Sequence, residues 1–127
     1  MGKKDEHFSI GYLRLPDIRN EQEVHQKITA LKDHCEANGI RLPLIISDGE
    51  KGSENFRGTG WRDIEKTLVY AEGRIQSIVI PDKDMLTRDV GLYLLKEKEL
   101  RDSFGVSIEV ADGRNRKLDQ SRDLSLN

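Results

Sequence analysis

The stretch "GYLRLPD", Gly11–Asp17, closes the run "FSIGYLRL", Phe8–Leu15, whose aliphatic and aromatic residues read as a buried strand arriving at a loop. Arg14 places a charge at the strand end. Pro16 forces the turn, because proline has no backbone N–H and is excluded from the middle of a sheet. Working outward, "RLPLIIS" (Arg41–Ser47), "SIVIP" (Ser77–Pro81) and "VSIEVA" (Val106–Ala111) have the same short apolar character, bounded by Gly, Pro or Asp. Between the first two, Val24, Ile28, Leu31 and Cys35 recur at helical spacing, which predicts a helix from about Asn20 to Asn38 stopped by Gly39. Trp61, Ile64, Leu68 and Ala71 predict a second helix, and Val90 to about Ser103 a third that is apolar on most sides. Strands alternate with helices throughout. The expected fold class is α/β: a mostly parallel sheet of four or five strands, flanked by helices on both faces.

The chain has 127 residues, a length that fits one domain; residues 1–112 carry the strand and helix pattern, and 113–127 form a polar tail expected to be disordered. Its 21 basic and 23 acidic side chains leave a net charge of -2, so there is no global attraction to nucleic acid and any DNA contact must be local. The lone Cys35 excludes an internal disulfide and every CxxC pattern, and the three histidines have no ligand spacing. No metal or cofactor is expected on these grounds. No run is long enough for a signal peptide or a membrane span, which points to a soluble cytoplasmic protein. Cys35 and Trp61 are expected in the core, His25 and His34 on the surface.

In a parallel sheet the working loops follow the carboxyl ends of the strands. Four segments fall there: Arg14–Asp17, Asp48–Gly60, Asp82–Asp89, and the chain from Asp112. The second, "DGEKGSENFRGTG", is long, glycine-rich and charged, as a mobile functional loop would be.

Taken together, "GYLRLPD", "ITALKDHCEANGI", "SDGEKGSENFRGTGW" and "DKDMLTRDVGLYLL" resemble the catalytic domain of serine recombinases, the resolvase and invertase family, from about Ile10 to Asp112. In that family the first strand ends in Tyr, any residue, Arg, a small apolar residue and the nucleophilic Ser; a mobile loop supplies an Arg; and the third strand leads to Leu-Asp-Arg-Leu, a small residue and Arg-Asp. The resemblance implies a DNA phosphodiester attacked by the serine hydroxyl without a metal, the developing charge being met by arginine forks. Tyr12 and Arg14 match the first motif, Arg57 the loop, and Asp84, Leu86, Arg88 and Asp89 the third.

Three positions depart from it. Pro16 stands where the nucleophile belongs, Met85 where the family has an arginine, and Lys27, beside Gln26, where it has a glutamine on the first helix. Proline has no hydroxyl with which to attack phosphorus. The reading is therefore a recombination-type domain that lacks strand cleavage and keeps Arg14, Arg57 and Arg88 for weak, non-specific contact with DNA or for a recombinase-family partner, with a homodimer among the possible assemblies. Two alternatives stand beside it: a Mg2+-dependent phosphoryl-transfer enzyme built on Asp17, Asp48, Asp82 and Asp84, and a purely protein-binding domain. The family continues into a dimerisation helix and a DNA-binding region, and no helix-turn-helix fits in "GRNRKLDQSRDLSLN".

Overall fold

The computed structural model describes residues 7–15, 20–49 and 52–111. Pro16, Asp17 and the tail 113–127 lie outside them. In chain order the elements are β1 (Phe8–Leu15), α1 (Glu21–Ala37), β2 (Leu44–Gly49), α2 (Thr59–Ala71), β3 (Ile75–Ile80), α3 (Val90–Phe104) and β4 (Ser107–Val110), with short 3-10 turns at Glu54–Phe56 and Lys83–Met85. The strands form one parallel sheet in the order β2-β1-β3-β4. All four carboxyl ends therefore share one edge.

Both faces of the sheet are covered, and β1 serves both. Its Ile10 and Tyr12 point into a core with Trp61, Ile64 and Leu68 of α2 and Tyr93 and Leu100 of α3, while Leu13 and Leu15 join Leu31 and Cys35 of α1 on the opposite face. This is the period-two alternation of a strand buried on both sides. Gly11 lies where Leu31 of α1 packs onto the sheet. A Cβ there would stand 3.0 Å from Ile45 Cγ1 and 3.1 Å from Leu31 Cδ1, so the close packing needs a residue without one.

Local signals fix the helix ends. The Asn20 side chain accepts from the Glu23 N–H at 3.1 Å, and Glu21 and Glu23 favour the positive end of the dipole. At the other end Gly39 adopts φ +66° and its N–H donates to Glu36 O, while the Ile40 N–H donates to Cys35 O, a Schellman closure. Asp89 caps α3 by accepting from the Leu92 N–H at 3.0 Å.

Three expectations need correction. The second strand runs Leu44–Gly49, not Arg41–Ser47: Pro43 has no N–H for the ladder, and pairing with Arg14 and Leu15 carries the strand through Asp48 and Gly49. The third begins at Ile75, because Phe8 pairs with Ile75 across the polar Gln76 that breaks the apolar run. His34 is not a surface residue. It is buried on the sheet side of α1, and its Nε2 meets Glu109 Oε2 of β4 at 2.8 Å.

Candidate functional site

The carboxyl edge is organised from below by Asp48. This carboxylate, 8% exposed, takes the Tyr12 hydroxyl at 2.7 Å, the Gly60 N–H at 2.6 Å and the Trp61 N–H at 3.1 Å. The latter two are amides of the first turn of α2, whose N-cap residue Gly58 has no side chain to satisfy them. Asp48 therefore caps α2 from a neighbouring strand, and its charge suits the helix N-terminus. Burial and the adjacent carboxylate push the Tyr12 phenol far above its ordinary range. Tyr12 and Trp61 pack edge to face, with ring centroids 5.4 Å apart.

Above this layer is a cleft of about 160 Å³ lined by Arg14, Glu23, Lys27, Asp82, Asp84, Met85 and Arg88. Arg14 enters it from the end of β1, Glu23 and Lys27 from α1, and the rest from the segment after β3. The Arg14 Nε donates to Ser53 Oγ at 2.8 Å, and its Nη1 lies 3.4 Å from Met85 O. Ser53 in turn donates to Gly49 O. Met85 is 6% exposed: it packs in the core beside Leu86, and the backbone N–H of Arg14 is directed at its sulfur. Three cations and three carboxylates face the cleft, so its arginine forks can engage a phosphate only against opposing charge.

The described part of the Asp48–Gly60 segment lies against the body of the domain. Besides the Ser53 bonds, Thr87 donates to Asn55 Oδ1 at 2.6 Å, the Phe56 ring packs 5.1 Å from that of Trp61, and Lys96 Nζ stands 5.2 Å over Phe56. Asn55 and Phe56 both have positive φ, 54° and 69°, and these contacts hold that unfavourable backbone in place. Arg57 follows on the exposed side and is not part of the cleft wall.

The three described aspartates among those considered for Mg2+ do not gather. Asp82 and Asp84 share the cleft, Asp48 is committed to three hydrogen bonds beneath it, and Asp17 lies outside the described residues. Among the described residues no group of three or more His, Cys, Asp or Glu side chains could hold a metal ion. No helix among them is long and apolar enough to cross a membrane.

No protein-family model matches the chain, and no curated protein sequence does. Solved structures do. The C-terminal catalytic domain of ISC1926 TnpA, an IS607-like serine recombinase, superposes with a TM-score of 0.67 at 23% identity, over 87% of this chain and 74% of that one. The N-terminal catalytic domain of TP901-1 integrase gives 0.69 at 15% identity, over 81% and 76%. The first open reading frame of transposon ISC1904 from Sulfolobus solfataricus P2 gives 0.63 at 16% identity, over 83% and 67%. This chain has the fold of a serine recombinase catalytic domain.

On this serine recombinase fold the residues singled out from sequence are only partly brought together: Leu86 is in the core and Asp89 caps α3. Arg14, Lys27, Asp84, Met85 and Arg88 share one cleft at the carboxyl edge. Tyr12 lies one layer below, its hydroxyl turned to Asp48. Arg57 stands outside the cleft, and Pro16 lies outside the described residues. Sequence reasoning missed Ser53, whose contact with Arg14 spans 39 positions, and misread Asp48, which serves as a cap. For Asp48 a signal existed: a helix opening "GTGW" has no capping side chain of its own, so an outside acceptor is required.

Proposed function

We propose that this domain holds the phosphodiester backbone of DNA at the carboxyl edge of its sheet without cutting it, as a binding or regulatory module of DNA recombination. The observation that carries this reading is the convergence of Arg14 and Arg88 on one cleft in which Met85, at the position of a family arginine, is a buried apolar side chain. Two planar forks can bind a phosphate. The transition state of phosphoryl transfer needs more: a hydroxyl to attack, which Pro16 cannot supply, and full neutralisation of the phosphoryl oxygens. Loss of a nucleophile typically costs on the order of 10^6 in rate.

Because the cleft carries as many carboxylates as cations, binding is weak and independent of sequence, with Kd on the order of 10^-4 to 10^-6 M at physiological salt. Fluorescence anisotropy of a labelled duplex at about 50 and 200 mM salt tests this. Affinity should fall steeply with salt and be lost in Arg14→Gln/Arg88→Gln. Nanomolar, salt-insensitive binding would overturn the reading. A second reading, a protein-binding domain, is favoured by the exposed Val90, Leu94 and Leu95 on α3. It predicts no DNA binding even at low salt.

A further inference from the structure

Ser53 lies in the segment between β2 and α2, at a position to which the sequence gives no role, and its hydroxyl bonds to Arg14 of the cleft. Ser53 is 3% exposed, so its bonds with Arg14 and Gly49 are made with little access to water. A serine hydroxyl has one proton. Here it goes to Gly49 O, so the bond with Arg14 Nε must use an oxygen lone pair as acceptor from the guanidinium. The direction of both bonds is thereby fixed. Ser53 itself is not free to wander, because Asn55, two residues on, is bonded to Thr87, and Phe56 is packed on Trp61.

We propose that Ser53 is a positioning residue for the phosphate cleft: it fixes the Arg14 guanidinium in the cleft wall, so that docking of the segment 52–58 sets how well the cleft holds a phosphodiester. This rests on the phosphate-binding reading above. An arginine side chain has several rotatable bonds, and a fork that is already oriented loses less entropy when it meets a phosphate. Removing the hydroxyl leaves the positive charge present and releases its orientation.

The test is a mutant cycle read by anisotropy with a labelled DNA duplex at two salt concentrations, on Ser53→Ala, Ser53→Thr, Arg14→Gln and the Ser53→Ala/Arg14→Gln double variant. Ser53→Ala should weaken binding roughly threefold to tenfold and shift the salt slope toward that of Arg14→Gln. Ser53→Thr, which keeps the hydroxyl, should bind like the parent, and the double variant should be no worse than Arg14→Gln alone. Circular dichroism melting of each variant separates lost binding from lost fold, since a purely structural role would not move the salt slope of the folded protein. Parent-like affinity and slope in Ser53→Ala, or full additivity in the double variant, would overturn the assignment while leaving the cleft intact. Parent-like binding by the Arg14→Gln/Arg88→Gln variant, measured alongside, would instead refute the phosphate reading, and this inference with it.

Discussion

The Tyr12 hydroxyl donates to Asp48 Oδ2 at 2.7 Å, and this bond ties the middle of the central strand to the helix that follows the long loop. Tyr12→Phe leaves a buried carboxylate with one donor fewer, which should cost about 1–3 kcal/mol in urea unfolding. Asp48→Asn sets an amide N–H2 among donors and should cost at least as much. Burial of the phenol, reinforced by this bond and the Asp48 charge, also fixes a pH dependence. The folded pKa of Tyr12 is raised, so its contribution is fully present below the unfolded phenol value of 10.0 and is lost as the pH rises beyond it. Tyr12→Phe should lose less stability between neutral pH and pH values above that point than the parent does, as measured by denaturant midpoints.

Gly58 is required by the same carboxylate. A Cβ at this position would lie 2.1 Å from Asp48 Oδ2, so Gly58→Ala must displace the cap of α2. A loss of about 2 kcal/mol or more is expected. Gly39→Ala is the control: nothing lies within 4 Å of its added methyl, and only the positive φ is penalised, at about 1 kcal/mol. Equal losses in the two variants would contradict this account of Gly58.

Met85 limits what reversion can achieve. Met85→Arg introduces the residue type that the family resemblance implies here but places a cation at a residue only 6% exposed, and should destabilise by about 3 kcal/mol unless the segment after β3 moves outward. Met85→Leu should cost less than about 1.5 kcal/mol. Thermal melts of the two variants test this ranking directly.

Cys35 should be a slow thiol. Burial, assisted by the charge of Glu109, pushes its pKa up, so less thiolate is present at neutral pH than in an exposed cysteine. Reaction with a chromogenic disulfide should be slow in the native protein and become fast in denaturant. A native rate equal to the denatured one would contradict the packing of α1.

Much of the fold was legible because its signals are local. The Val24–Cys35 stripe, Gly39 and the apolar run at Phe8–Leu15 each carry their own meaning within a few residues, and the observed elements sit close to those readings. What could not be read depends on partners distant in sequence. His34 reads as a dipole-favoured surface residue until Glu109, 75 positions later, is placed beside it. Met85 looks like a simple loss from a motif, yet in three dimensions it is a core side chain against the backbone of Arg14. The cleft itself showed only part of its character: its arginines and Asp82 lie in stretches with a motif, whereas Glu23 enters from α1 at a position that no motif announces.

The central claim, a recombinase fold that holds phosphodiester without cutting it, is tested most directly by looking for a covalent bond. The unmodified domain should be incubated with an end-labelled duplex under low-salt conditions where anisotropy reports binding, then denatured in detergent and run on a gel. The account predicts full-length free DNA only, with neither a protein-linked band nor a shortened product. A labelled band that survives denaturation and is removed by protease would contradict it.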